Sequence, residues 1–541
     1  MAENGDAKDG SGQSASRSPL QEKQAQYKVS PELMGKFGAD EHQRLPVVIE
    51  LNLDFERGAA GAKETVVGLL KAMNVEPTAG AESRYHVFAR LTKEQVQELA
   101  RRDGASRAPH PDAANFEGAP RARRPKRGEK VPSAIYKIWP DRELKAFLDR
   151  SLRTIKADAC TRTFGSDGLG IIWAVIDSGI DGGHPHFRTY ATLDLSPVAP
   201  HQLRGALVVG LDHKDFTGGN DALSDRFGHG THVAGIIAGA TPFKETNGVR
   251  KAKPPAVRAS SSRDEDDNVR TRIAELEQLV TGVAPRCKLL SLKVLDELGS
   301  GEERSLLAAL DYVARINEDG RLIRVHGVNI SIGYPFDAEW FAAGQSAICV
   351  AVNRLVRTGV VVVVAAGNEG SVEMQLGDGK VRRIGLDQSI SDPGNADLAI
   401  TVGSTHGDSP HTYGVSYFSS RGPTIDGRPK PDLVAPGERI VSCASREKVA
   451  ELRGEGDVQD PAGWLGSKGD TATFYRDETG TSMAAPHMSG AAAALLSIRR
   501  EFIGQPERIK EIFVSSATDL KRKRDFQGAG LLDLMRAIQS V

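Results

Sequence analysis

The chain has 541 residues, with 70 Lys+Arg against 71 Asp+Glu and a formal net charge of −1. That balance gives no global attraction to nucleic acid or to an anionic membrane, so a partner must be recognised locally. The longest apolar runs, such as 360–366, are strand-sized rather than membrane-sized, and the length allows a large core with an attached smaller domain.

Four widely spaced cysteines, Cys160, Cys287, Cys349 and Cys443, show no CxxC pairing, which argues against a zinc site or a dense disulfide framework. The first residues show no basic region followed by an apolar one, so a cytoplasmic protein with reduced thiols is expected; export without such a signal stays open.

Residues 1–44 are rich in Gly, Ser, Gln, Lys and Asp and read as a disordered leader. Residues 45–140 read as a small α+β domain. Strands are expected at 46–53, 84–91 and 134–139, with helices at 64–73 and 93–102, the second opened by a Thr92/Gln95 capping box. Ahead of the last strand, the loop 103–132 carries Arg121, Arg123, Arg124, Lys126, Arg127 and Lys130 among prolines. Without interleaved aromatics it reads as a solvated, protease-sensitive loop rather than a nucleic-acid site.

From 141 to 541, after a helix at 143–155, short apolar strands alternate with helical segments. Strands are expected at 171–176, 206–211, 288–295, 328–332, 360–365 and 398–402, and helices at 232–239, 302–317, 338–357 and 482–501. Most of these strands are continuous apolar runs, as in parallel sheets buried on both faces. The fold expected is therefore a doubly wound, mainly parallel α/β sheet with helices on both faces. Two charged stretches, 243–281 with a helical piece at 269–279, and 444–478, read as surface insertions.

Four pieces carry chemistry. Asp177 ends the apolar run 171–176 just before Ser178-Gly179, at the strand end where open α/β sheets place functional groups. Asp177 and Asp181 are also both suited to cap that turn. His229 stands between Gly228 and Gly230 at the start of an apolar helix, placed to act as a general base. The spacing to His232 lacks the glutamate and third ligand of a metal site, so His232 reads as a hydrogen-bonded core histidine. Asn368 follows the run 361–364 and the small residues Ala365, Ala366 and Gly367. Its amide can donate to an oxyanion while those small residues leave room for a substrate side chain, although Asn before Glu-Gly is also a turn signal. Ser482, in Gly480-Thr481-Ser482-Met483-Ala484-Ala485-Pro486-His487, opens an alanine-rich helix, with Pro486 suited to a first turn; by itself it could be a simple N-cap.

Taken together and in this order, Asp-Ser-Gly, His-Gly-Thr-His-Val-Ala-Gly, Ala-Gly-Asn and Gly-Thr-Ser-Met-Ala-Ala-Pro-His resemble the subtilisin-like serine proteases (subtilases) over about 167–538. The resemblance implies a serine endopeptidase of broad specificity acting through an acyl-enzyme. Asp177, His229 and Ser482 would be its triad, and Asn368 its oxyanion donor. A protein or peptide substrate would pair along Ser331, Ile332 and Gly333 and be flanked by Ala365, Ala366 and Gly367. It further implies that 45–140 is a ferredoxin-like prodomain, an intramolecular inhibitor released by self-processing between about 139 and 156. A catalytically silent, peptide-binding relative is the alternative.

The chemistry requires no cofactor. Family members often hold structural calcium through His-Pro-Asp; here that stretch is His184-Pro185-His186, so the usual strong site is not expected, leaving only a weaker or relocated ion.

Overall fold

The computed structural model describes all residues except 1–26, 39–41, 56, 79–82, 106–132, 141–149, 197–210, 247–248, 264–268, 277, 338, 340–341, 376–380, 454–457 and 467–471. The chain divides into two compact units, Met1–Ala146 and Phe147–Val541.

In the first unit β1 (Leu45–Leu51) is flanked by β2 (His86–Leu91) and β3 (Ile135–Pro140), both antiparallel to it, with helices Gly58–Lys71 and Lys93–Ala105 in the connections. Among the described residues it has three strands, one fewer than a full β-α-β-β-α-β unit. Its order starts earlier than the composition of 1–44 suggests. Val29 and Leu33 are buried, Ser30 N donates to Ile138 O at 3.0 Å, and Pro31–Lys36 is helical. Two apolar anchors suffice to tie a polar stretch to a sheet edge. The second helix also runs past Arg102: Asp103 is buried and accepts from Lys28 Nζ, Ala134 N and Ile135 N at 2.7–3.0 Å. The basic cluster of 106–132 lies outside the described residues.

In the second unit the strands used below are β4 (Ile172–Asp177), β5 (Lys214–Asp215), β6 (Ala256–Arg263), β7 (Val269–Glu275), β8 (Lys288–Lys293), β9 (Gly327–Ile330), β10 (Val361–Ala365), β11 (Ile400–Thr405), β12 (Leu433–Pro436), β13 (Ile440–Cys443), β14 (Val458–Gln459) and β15 (Thr473–Glu478). Seven of them form one parallel sheet in the order β12-β11-β10-β9-β4-β8-β5. Alternate residues serve two cores. Trp173, Val175, Val361 and Val363 pack on the side of the helix Thr481–Ile498. Ala174, Ile176, Val362 and Val364 pack with helices Glu303–Ile316 and Ala347–Arg357. The strand expected at 206–211 falls mostly outside the described residues, and the helix expected at 338–357 begins only at Ala347.

The two stretches read as separate insertions share one sheet, in the order β13-β15-β6-β7-β14. The helical piece expected at 269–279 is β7 instead. Val269, Ile273 and Leu276 have helical spacing, but pairing with β6 imposes a period of two that buries Thr271 and Ile273 and exposes Arg270 and Arg272. Among the described residues no helix is long and apolar enough to cross a membrane.

Candidate active site

The chain passes from β8 across β4 to β9, so a crevice opens beyond the carboxyl ends of β4 and β9. Asp177, the last residue of β4, is 1% exposed. Its Oδ1 accepts from His229 Nδ1 and from Ser178 N, both at 2.8 Å, and among the described residues no donor reaches Oδ2. His229 begins the helix His229–Ile237 and is 18% exposed. Gly230 lets that helix start meet the turn after β4, since a Cβ there would lie 2.1 Å from Gly179 O.

With Nδ1–H given to Asp177, the lone pair of His229 is on Nε2, a tautomer assigned from the hydrogen bond. Burial disfavours the imidazolium, but the charge and hydrogen bond of Asp177 prevail, and His229 titrates above the ordinary imidazole value. His232, by contrast, is fully buried. Its Nε2 lies 3.1 Å from Ile440 O and 3.2 Å from Arg476 O, and burial holds its pKa well down, as for a core histidine.

Ser482 is the second residue of Thr481–Ile498, so its N–H has no intrahelical acceptor. Pro486 is the sixth residue, past the first turn, and cannot donate to Ser482 O four residues back. Ser331 Oγ donates to that carbonyl instead, at 3.0 Å, while Ser482 Oγ donates to Ser331 O at 2.9 Å rather than to His229. Behind this pair, Ser489 Oγ donates to Asn329 Oδ1 at 2.8 Å and Asn329 Nδ2 donates to Ser331 Oγ at 2.9 Å, all three residues being buried. This chain of hydrogen bonds ties the segment after β9 to the serine helix.

Asn368 follows β10. Its Oδ1 accepts from Thr481 N at 2.9 Å and Thr481 Oγ1 at 3.1 Å, which orients the amide and leaves Nδ2 as the donor. A cleft of about 480 Å³ brings together His229, Ser331, Ile332, Gly333, Ala365, Gly367, Asn368 and Ser482. Ala366 is not part of its lining. That residue is fully buried, with its N–H donating to Val402 O, because alternate residues at a strand end face opposite ways.

Asp225 is a site residue that sequence reasoning missed. It is fully buried and accepts from Ser178 Oγ, Gly228 N, Thr231 N and Thr231 Oγ1 at 2.6–2.9 Å, while Ser178 Oγ accepts from Gly230 N. Burial raises its pKa despite those donors. It clamps the Asp177 turn to the His229 helix. Its one signal in the sequence is an acidic residue three positions before the Gly-His helix start.

The residues around His184-Pro185-His186 do not form a cation cage. His186 Nδ1 lies 3.1 Å from Tyr475 Oη, which lies 2.7 Å from Thr241 Oγ1, and burial takes the His186 pKa down to about 3. Asp181, the nearby carboxylate, is occupied by Arg446, whose N, Nε and Nη2 donate to it at 2.7–3.0 Å. Among the described residues no group of three His, Cys, Asp or Glu is disposed to hold a metal.

A serine at a helix start, an imidazole oriented by a buried carboxylate and an asparagine amide, set at the carboxyl edge of a doubly wound parallel sheet, define a serine hydrolase class. Residues 168–531 match the subtilase family (peptidase S8), and the chain belongs to that family. Serine protease AprX of Bacillus subtilis (strain 168) is 27% identical over 415 residues, 75% of this chain and 75% of that one. The major intracellular serine protease of the same organism is 29% identical over 368 residues, 68% of this chain and 80% of that one. Its subtilisin E is 27% identical over 387 residues, 71% and 70% of the two chains. The protein is a serine endopeptidase.

Proposed function

We propose that Asp177, His229 and Ser482 work as a catalytic triad cleaving peptide bonds through an acyl-enzyme. The observation that carries this is the 2.8 Å hydrogen bond from buried Asp177 to His229, which lines the same cleft as the helix-start serine. Asp177 holds the imidazole in one tautomer, His229 Nε2 takes the proton from Ser482 Oγ, and that oxygen attacks the scissile carbonyl. Ser482 N and Asn368 Nδ2 then receive the oxyanion.

Ser482 must first turn away from Ser331 O. A substrate strand added along Ser331, Ile332 and Gly333 competes for that same carbonyl, so binding itself frees the hydroxyl. Pairing through the main chain admits many sequences, in line with broad specificity.

In the same reading the first unit, with its own core, is an inhibitory prodomain removed by self-cleavage near 139–156, a stretch partly outside the described residues. Four free, buried cysteines suit a reducing, cytoplasmic setting. Asp181, the carboxylate near His184-Pro185-His186, is taken by Arg446, which suits stability without calcium at that place.

Intact-mass spectrometry of wild type and Ser482→Ala after a fluorophosphonate probe tests the triad and processing together. Wild type should gain one probe adduct and shed its N-terminal unit, and the variant should do neither. An unlabelled wild type would leave a silent peptide-binding protein as the better account.

A further inference from the structure

Asn329 is a polar residue where the strand calls for an apolar one. It sits inside β9, opposite Val363 of β10 on one side and Val175 of β4 on the other, and it is fully buried. Its neighbours Val328 and Ile330 face the opposite core. Asparagine is disfavoured in such a strand, and a buried amide is destabilising unless its partners are in place. Those partners are Ser331 and Ser489, on the side of the serine helix.

The three side chains form a one-way relay. The Ser482 carbonyl can only accept, so the proton of Ser331 Oγ points at it. The atom of Asn329 that faces Ser331 Oγ is then the donor Nδ2, and Oδ1 is left to accept from Ser489 Oγ. Among the described residues Ser489 is the one donor to that Oδ1.

We propose that Ser489 and Asn329 are positioning residues for Ser482, acting through the Ser331 hydroxyl. The inference rests on reading Ser482 as the nucleophile. Ser482 lies between two anchors. One is Thr481 N, which donates to Asn368 Oδ1; the other is its own carbonyl, held by Ser331 because Pro486 has no N–H to offer. Without the Ser489 hydroxyl the Asn329 amide turns over, and its oxygen takes the Ser331 proton. The Ser482 carbonyl then has no donor, and the residue that supplies both the nucleophile and an oxyanion N–H loses one of its two anchors. A misplacement of about 1 Å costs on the order of 10²-fold in rate, so a partial loosening falls on kcat. Substrate pairing along 331–333 uses main-chain groups, so KM is left nearly as it was.

Steady-state kinetics on an alanine tetrapeptide p-nitroanilide test this, with rates expressed per site titrated by the fluorophosphonate. Ser489→Ala should lower kcat about tenfold and leave KM within about twofold. In a Ser331→Ala background, adding Ser489→Ala should change kcat by less than about 1.5-fold, since the hydroxyl it acts through is already gone.

A wild-type kcat in Ser489→Ala, a full further loss in the Ser331→Ala background, or a change in KM as large as that in kcat would overturn the proposal. Asn329→Leu leaves no amide buried at that place and decides the matter if Ser489→Ala fails to fold. It should show the same loss of kcat, and a wild-type value would equally overturn the relay. A wild type that turns over nothing would overturn the triad and this proposal with it, whereas an active wild type matched by Ser489→Ala would overturn this proposal alone.

Discussion

In the proposed mechanism His229 sets the pH dependence of the reaction. As a base it must be neutral, and its pKa is raised because Asp177 outweighs burial. Activity is therefore present above the raised pKa and is lost as pH falls through it. The acid limb of kcat/KM should lie above about 6.5, the ordinary imidazole value. In Asp177→Asn it should move down, with kcat reduced on the order of 10⁴-fold. An unmoved limb in that variant would assign it to another group. Asn368 carries a separate expectation. Asn368→Leu removes the free Nδ2 donor and, with it, the Oδ1 that accepts from Thr481. Steady-state kinetics should show kcat lower by about 10²–10³-fold with KM nearly unchanged, the size known for an oxyanion amide in subtilisin.

Among the elements, the sheet that joins the two insertions is fastened to the site by Arg446. This residue begins the helix Arg446–Leu452 behind its N-cap Ser445, and its guanidinium holds the buried Asp181 four residues after Asp177. Arg446→Met would leave a buried carboxylate without its cation. Because the arginine side chain is 65% exposed and solvent screens it, the cost should be about 2 kcal/mol, below the 3–5 kcal/mol of a fully buried pair. A urea midpoint that does not fall in Arg446→Met would show that the pair contributes nothing. Tyr475, on β15 of the same sheet, is itself buried in the core on the serine-helix side, with its hydroxyl 3.1 Å from His186 Nδ1 and 2.7 Å from Thr241 Oγ1. The inserted segments thus brace the turn after β4 and the stretch His184-Pro185-His186.

For the whole molecule, that bracing predicts that a chelator has little effect. Scanning calorimetry with and without about 1 mM EDTA should give Tm values within about 2 °C of each other, since an ion bound only by the native state would raise Tm by mass action. A large drop would reveal a cation site built from residues outside those described.

By itself, the sequence determined the parallel sheet and the four motifs, for a local reason. Continuous apolar strands declare burial on both faces, and Asp177, His229, Asn368 and Ser482 each sit at a strand end or helix start that their neighbours dictate. Pairing and packing decided the rest. β7 became a strand only because β6 lies beside it, and Val29 and Leu33 became anchors only because a sheet edge receives them. Ala366 turned inward with the strand period. The clamp at Asp225 and the exchange between Ser331 and Ser482 join residues 47 and 151 positions apart. Such contacts depend on which strand ends meet in space, and no local pattern of residue types records that.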